Sequence, residues 1–164
     1  MGCRIHLPPA LWTFDGNGIT SAAYADVATI AAGTGFSVRA MAFDGDASED
    51  ASVVFAAPYA PLLRRPQLVL RGIYTGAGPA SGVLVFTTAL VSAVGGVALP
   101  GRTGETIRSE FSATRSQFTS LGCPVSSSGI APGDTVMLRL TRLIDSVDTV
   151  DGADFNIIDA EIMW

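Results

Sequence analysis

The sequence predicts an all-β protein: an antiparallel β-sandwich, jelly-roll-like, of about eight strands with an extended N-terminal arm. Three observations carry that reading. Apolar and polar residues alternate with period two in several short runs. Eighteen glycines and nine prolines punctuate those runs. No stretch keeps helical spacing long enough to make a convincing long helix. At 164 residues one domain is the default. A chain of this size needs neither a disulfide nor a metal to hold a core.

The elements follow in order. Residues 1–35 lack a pattern, and the prolines of "LPPALW" hold them extended, so they read as an arm with one short strand near Ala28–Ala31. Residues 36–164 form the sandwich. In "FSVRAMAFD" the face Phe36, Val38, Ala40, Ala42 is assigned to the core, which turns Met41 and Phe43 outward. "ASVVFAAP" is a short strand that stops at Pro58. "QLVLRGIYT" sets Leu68, Leu70 and Tyr74 against Val69, Arg71 and Ile73. "VLVFTTALVSAV", the longest apolar run, is read as strand from its β-branched and aromatic content. "ETIRSEFSATR" fits either one helical turn or a strand, and "SQFTSLG" is a short strand. "TVMLRLTRL" points Val136, Leu138 and Leu140 inward and Met137, Arg139 and Thr141 outward. "FNIIDAEIMW" puts Ile158, Ala160, Ile162 and Trp164 on one face, and Asp159, Glu161 and Met163 on the other. These last two runs read as an antiparallel pair, with Arg139 facing Asp159 or Glu161 across the ladder.

Composition narrows the function. Charged residues make up 15% of the chain, against about 25% in average globular proteins. All ten basic residues are arginine, which excludes a Schiff-base lysine and the lysine of a P-loop. The net charge of −5 disfavours a nucleic-acid partner, which needs clustered basic charge. No apolar run is long enough for a membrane-crossing helix. The start "MGCRIHLPPALW" lacks the plan of a secretory signal, so synthesis in a cytoplasm is expected. Cys3 and Cys123 have no framework spacing. With His6 they make too small a ligand set for a closed zinc site.

The acidic ladder Asp145, Asp148, Asp151, Asp154 invites a calcium reading. Its spacing of three departs from the alternate-residue ligand spacing of an EF-hand loop. A solvated turn suits it better, because aspartates there bond nearby backbone N–H groups. Asp44 with Asp46, and Glu49 with Asp50, are the nominal carboxylate pairs, but all four fall in one polar turn. A serine triad would need His6, and no GxSxG elbow occurs. Trp12, Tyr59 and Trp164 are candidates for a sugar-stacking surface, although scattered aromatics are more often core. The reading is therefore non-enzymatic and without a cofactor.

The closing stretch "PGDTVMLRLTRLIDSVDTVDGADFNIIDAEIMW", with "AFDGDASEDASVVFAAP" and "SGVLVFTTAL" before it, resembles a group of tailed-bacteriophage virion proteins. The resemblance covers residues 36–164 and rests on strands and turns rather than a catalytic signature. It implies a small jelly-roll subunit on the virion surface that decorates or cements the capsid or forms head fibres, often as a homotrimer. The implied partners are the major capsid protein and further copies of the chain, without nucleic acid or membrane. The contact candidates are Trp12, Met41, Phe43, Arg64, Arg65 and Met163. The alternative is a carbohydrate-binding or receptor-binding sandwich of a phage fibre, with a surface glycan as partner.

Overall fold

The computed structural model describes residues 3–14, 20–21, 23–27, 38–59, 65–76, 78–93, 102–103, 105–127, 130–150 and 152–164. They form twelve strands: β1 (Arg4–His6), β2 (Thr20–Ser21), β3 (Ala23–Val27), β4 (Val38–Phe43), β5 (Glu49–Ala56), β6 (Gln67–Gly76), β7 (Ser81–Ala93), β8 (Arg102–Thr103), β9 (Ile107–Thr114), β10 (Phe118–Pro124), β11 (Thr135–Arg142) and β12 (Ala153–Met163). Among the described residues the one helical element is a 3-10 turn at Pro9–Leu11.

Two six-stranded sheets pack face to face. The first, called sheet A, runs β10-β6-β12-β4-β3, with β1 beside the far end of β12. The second, sheet B, runs β2-β5-β11-β7-β8, with β9 beside the first part of β7. Every pairing is antiparallel except the two-residue contact of β2 with β5. Both halves of "ETIRSEFSATRSQFTSLG" are strands: β9 lies in sheet B and β10 in sheet A.

Period-two alternation decides which side chains meet between the sheets. Leu68, Leu70 and Tyr74 of β6, Leu121 and Cys123 of β10, and Val136, Leu138 and Leu140 of β11 all face inward and are buried. Phe86 of β7 bridges the layers. Its ring meets Phe43 edge-on at 5.7 Å and Phe155 at 5.8 Å between centroids, a geometry that suits the aromatic quadrupole.

The structure corrects the sequence reading in four places. On β4 the core face is Met41 and Phe43, both wholly buried. These are the strand's bulkiest apolar side chains, and burying them removes more apolar surface from water than burying alanines. Trp12 is also core, and its Nε1 donates to the Leu7 carbonyl at 3.0 Å. Met41, Phe43 and Trp12 are therefore not surface contacts. Second, the lead-in is not a free arm over its described part: β1 pairs with β12, and Leu7 packs in the core. The strand expected near residues 28–31 lies outside the described residues, as does Arg64.

Third, β12 carries a register shift between Ile157 and Asp159. Before this bulge Phe155 and Ile157 face the core, and after it Ala160 and Ile162 do. Ile158 instead packs with Ala40 and Ile73 on the outer side of sheet A. An extra residue in one strand reverses the alternation that a reader counts by. Fourth, β11 and β12 are not paired. They belong to different sheets, and residues 143–152 carry the chain across the sandwich.

Candidate functional site

The crossing holds the acidic ladder, and its aspartates have separate structural duties. Arg142 is wholly buried. Its Nε and one Nη face the Asp148 carboxylate at 3.4 Å each. Its remaining N–H groups donate to the carbonyls of Phe43 (3.1 Å), Ala153 (2.8 Å) and Val150 (3.0 Å). All five donors of the guanidinium are thus spent on the chain that closes this end of the sandwich. Asp145 accepts from Arg108 at 2.6 Å and from the Val147 and Asp148 amides. The Arg108 guanidinium and the Val147 amide hold its carboxyl down to about 2. Asp154 is exposed on β12, and Asp151 lies outside the described residues. No group of three or more metal-ligating side chains assembles among the described residues. Asp145 and Asp148 act as a fastening rather than as the solvated hairpin turn expected, because this segment crosses between the sheets and buries the Asp148 carboxylate against Arg142.

The loop between β4 and β5 is similar. The Asp44 amide donates to Glu49 Oε2 at 2.7 Å. Burial pushes the Glu49 carboxyl above its usual range, with Asp44 and Asp154 adding to the rise against the pull of that amide. Cys123 is buried, which pushes its thiol up to about 12. Neither cysteine is in a disulfide.

The outer face of sheet A is different, because its charges are reached by water: Arg4 and His6 are exposed, Arg71 and Asp159 are half-buried, and Glu161 is the most covered. His6 Nε2 and Asp159 Oδ1 are 2.5 Å apart across β1 and β12. Arg71 of β6 donates to Asp159 at 2.6 Å and to Glu161 at 2.5 Å. Arg4 stands 3.9 Å from Glu161. The strand order β6-β12-β1 brings these five residues, distant in sequence, into one row. The Asp159 carboxyl is raised by burial and lowered by Arg71 and His6, and the lowering wins. Asn156 donates to Thr75 at 2.9 Å beside the row. On β10, next to Arg71, the pleat aims Ser120 and Phe118 to the same side, and Phe118 is 60% exposed.

The chosen contact residues are scattered. Met163 is half-buried at the end of the charged row, where it faces Arg4. Arg65 is exposed at a polar cleft at the end of sheet A. Tyr59 is exposed and Trp164 half-buried, so with Trp12 buried the three make no aromatic row. Sequence reasoning assigned no role to Arg71 or Phe118 and expected Arg139 to face Asp159 or Glu161; because β11 and β12 lie in different sheets, Arg71 of β6 takes that place. Only the outward alternation of Arg71 and Asp159 on their own strands pointed to these two.

No family model matches the chain, and no curated protein matches it. Among solved structures it is similar to the xylan-binding module CBM15, with a TM-score of 0.56 and 13% identity, covering 99% of this chain and 97% of that one. It is also similar to part of an arabinose-bound α-L-arabinofuranosidase, with a TM-score of 0.50 and 12% identity, over 94% of this chain and 23% of that one. A family 11 carbohydrate-binding module from Clostridium thermocellum, in complex with a β-1,3-1,4-mixed-linked tetrasaccharide, aligns with a TM-score of 0.49 and 12% identity, over 97% and 94% of the two chains. At such identities the likeness shows the fold, a β-sandwich jelly roll.

Proposed function

We propose that this protein is a non-catalytic carbohydrate-binding module whose ligand lies along the outer face of sheet A. The observation that carries the reading is the open row Arg4, His6, Asp159, Glu161 and Arg71, with Phe118 at its side. Mutual ion pairs hold these side chains in place before a ligand arrives, which lowers the ordering cost of binding. Arg71 spends two of its five N–H groups there, on Asp159 and Glu161. Carboxylate lone pairs and guanidinium N–H groups match hydroxyls, each of which donates and accepts. The Phe118 ring offers an apolar face for the C–H side of a sugar. The xylan-binding module CBM15, which has the same fold, supports this class of ligand.

Native gel electrophoresis in the presence of xylan or mixed-linkage β-glucan tests it. The wild-type chain should be retarded by at least one polymer, and Arg71→Ala and Phe118→Ala should each restore free migration. Free migration of the wild type in both polymers would sink the proposal.

A second reading, the capsid-surface subunit, is favoured by the opposite face. On the outside of sheet B, Val54 (61% exposed), Met137 (42% exposed) and Val91 lie side by side on β5, β11 and β7. With the resemblance of residues 36–164, that apolar row supports docking on a capsid protein or on further copies of the chain. Immunogold labelling of intact phage particles decides it: gold over the heads is the expected result, and unlabelled particles would leave only the glycan reading.

A further inference from the structure

At the end of sheet A, a cleft of about 290 Å³ is lined by Arg65, Glu105, Ile107, Ser126 and Ser127. It lies where the two sheets meet. The segment entering β6 is tied to the segment leaving β10 by the Val125 amide, which donates to the Pro66 carbonyl at 2.9 Å. Ile107 opens β9 in sheet B. We infer that this cleft is a second carbohydrate site, a pocket for one neutral sugar ring. The choice of a sugar rests on the proposed function. The pocket itself rests on the following geometry.

The four polar side chains of the cleft have no hydrogen-bond or ion-pair partner among the described residues. In the other carboxylate–arginine groupings described above the charges pair with each other: Asp145 with Arg108, Asp148 with Arg142, and Asp159 and Glu161 with Arg71. Here a guanidinium and a carboxylate line one cavity without joining each other, and two hydroxyls stand beside them. Unspent polar groups lining one cavity beside an apolar side chain, Ile107, are what a small-ligand pocket presents.

The charges select the ligand. A phosphate or carboxylate attracted by Arg65 would meet Glu105, and a cation attracted by Glu105 would meet Arg65. A neutral ring with adjacent hydroxyls satisfies both. Its hydroxyl protons go to the carboxylate, and its oxygens accept from the guanidinium, which donates in a fork. Ile107 receives the C–H face. Small-molecule pockets start at about 300 Å³, so the cavity holds one ring and not a length of polymer. The outer face of sheet A would then grip the chain while the pocket takes a single terminal unit.

The test uses the full chain and amide NMR spectra, with D-glucose, D-xylose and D-galactose titrated separately into the millimolar range. Saturable shifts at Ile107, Ser126 and Ser127 are expected with at least one sugar. Arg65→Ala and Glu105→Gln should each weaken that sugar about tenfold, in spectra whose dispersion shows an intact fold. Arg71→Ala should leave these shifts unchanged. The pocket is refuted if none of the three sugars gives saturable shifts there, or if both cleft variants bind as the wild type does. Tighter binding of D-glucuronate than of D-glucose would overturn the neutral-ring assignment. Polymer retardation without cleft shifts overturns this inference and leaves the proposed function standing. Cleft shifts without retardation do the reverse.

Discussion

Arg142 and Arg71 both meet aspartate carboxylates, one at the closed end of the sandwich and the other on the outside of sheet A. The side chain of Arg142 is 0% exposed and that of Arg71 is 36% exposed. Arg142 gives three of its bonds to backbone carbonyls and has none left for a ligand. Arg71 gives its bonds to two side chains that are partly covered rather than buried. Similar chemistry therefore does different work. Buried, it fixes where the chain crosses between sheets. Exposed, it makes a ready surface. The comparison also explains why an acidic run in sequence is a poor guide to a site. Asp145 and Asp148 of the ladder are absorbed by the fold, while the pair in the proposed binding row, Asp159 and Glu161, sits in a strand that reads as plain alternation.

The comparison breaks most sharply at Arg142. Arg142→Ala strands a buried carboxylate and three carbonyls, and should cost about 3–5 kcal/mol. Asp148→Ala leaves a buried guanidinium without its counter-charge and should cost a similar amount. Urea denaturation of both variants checks this. The double variant Arg142→Met, Asp148→Leu should be markedly more stable than the two single losses added together, because neither charge remains to be desolvated. If each single change cost under about 1 kcal/mol, the knot would be no more than a surface-type pair.

That contrast marks how far the sequence could be read. Alternation gave the inward faces of β6 and β11 correctly, since strands of one register need only be counted in twos. It failed on β12 because the bulge after Ile157 adds one residue, and nothing in "FNIIDAEIMW" marks where. It failed on β4 because both faces of that strand are covered. Ala40 is buried on the outer side against Ile73, while Met41 and Phe43 fill the core. The pairing of β11 with β12 was assumed from their adjacency in sequence, yet adjacent strands of a sandwich often lie in opposite sheets. The charged row was invisible for the same reason. Arg4 and His6 reach Asp159 and Glu161 only through the return of the N-terminus to the edge of β12.

Arg71 sharpens the comparison from the other side. Its pairs are partly solvated, so Arg71→Ala should cost at most about 1 kcal/mol of stability. The same change is expected to abolish retardation by polymer, separating fold from function in a single variant. Equal losses in Arg71→Ala and Arg142→Ala, measured by the same urea curves, would mean that the row is structural and that exposure does not separate the two arginines.

The smallest effect is a titration. Asp145 is paired like Asp148 but lies at the surface, and Arg108 with the Val147 amide holds its carboxyl near 2 against an ordinary value of 3.8. Because the folded value is the lower one, the group stabilises the fold above pH 3.8, and that contribution is lost as the pH falls toward 2. Glu49 acts in the opposite sense. Burial raises its folded value above 4.5, so its contribution is present below that pH and is lost as the pH rises through the folded value. The two windows do not overlap, so they can be read separately from carboxyl carbon shifts. In Arg108→Ala the Asp145 midpoint should climb back toward 3.8 while that of Glu49 stays where it was. An Asp145 midpoint unmoved by the loss of Arg108 would leave the loop amides as the cause, and Asp145 would then be a turn residue rather than a surface counterpart of Asp148.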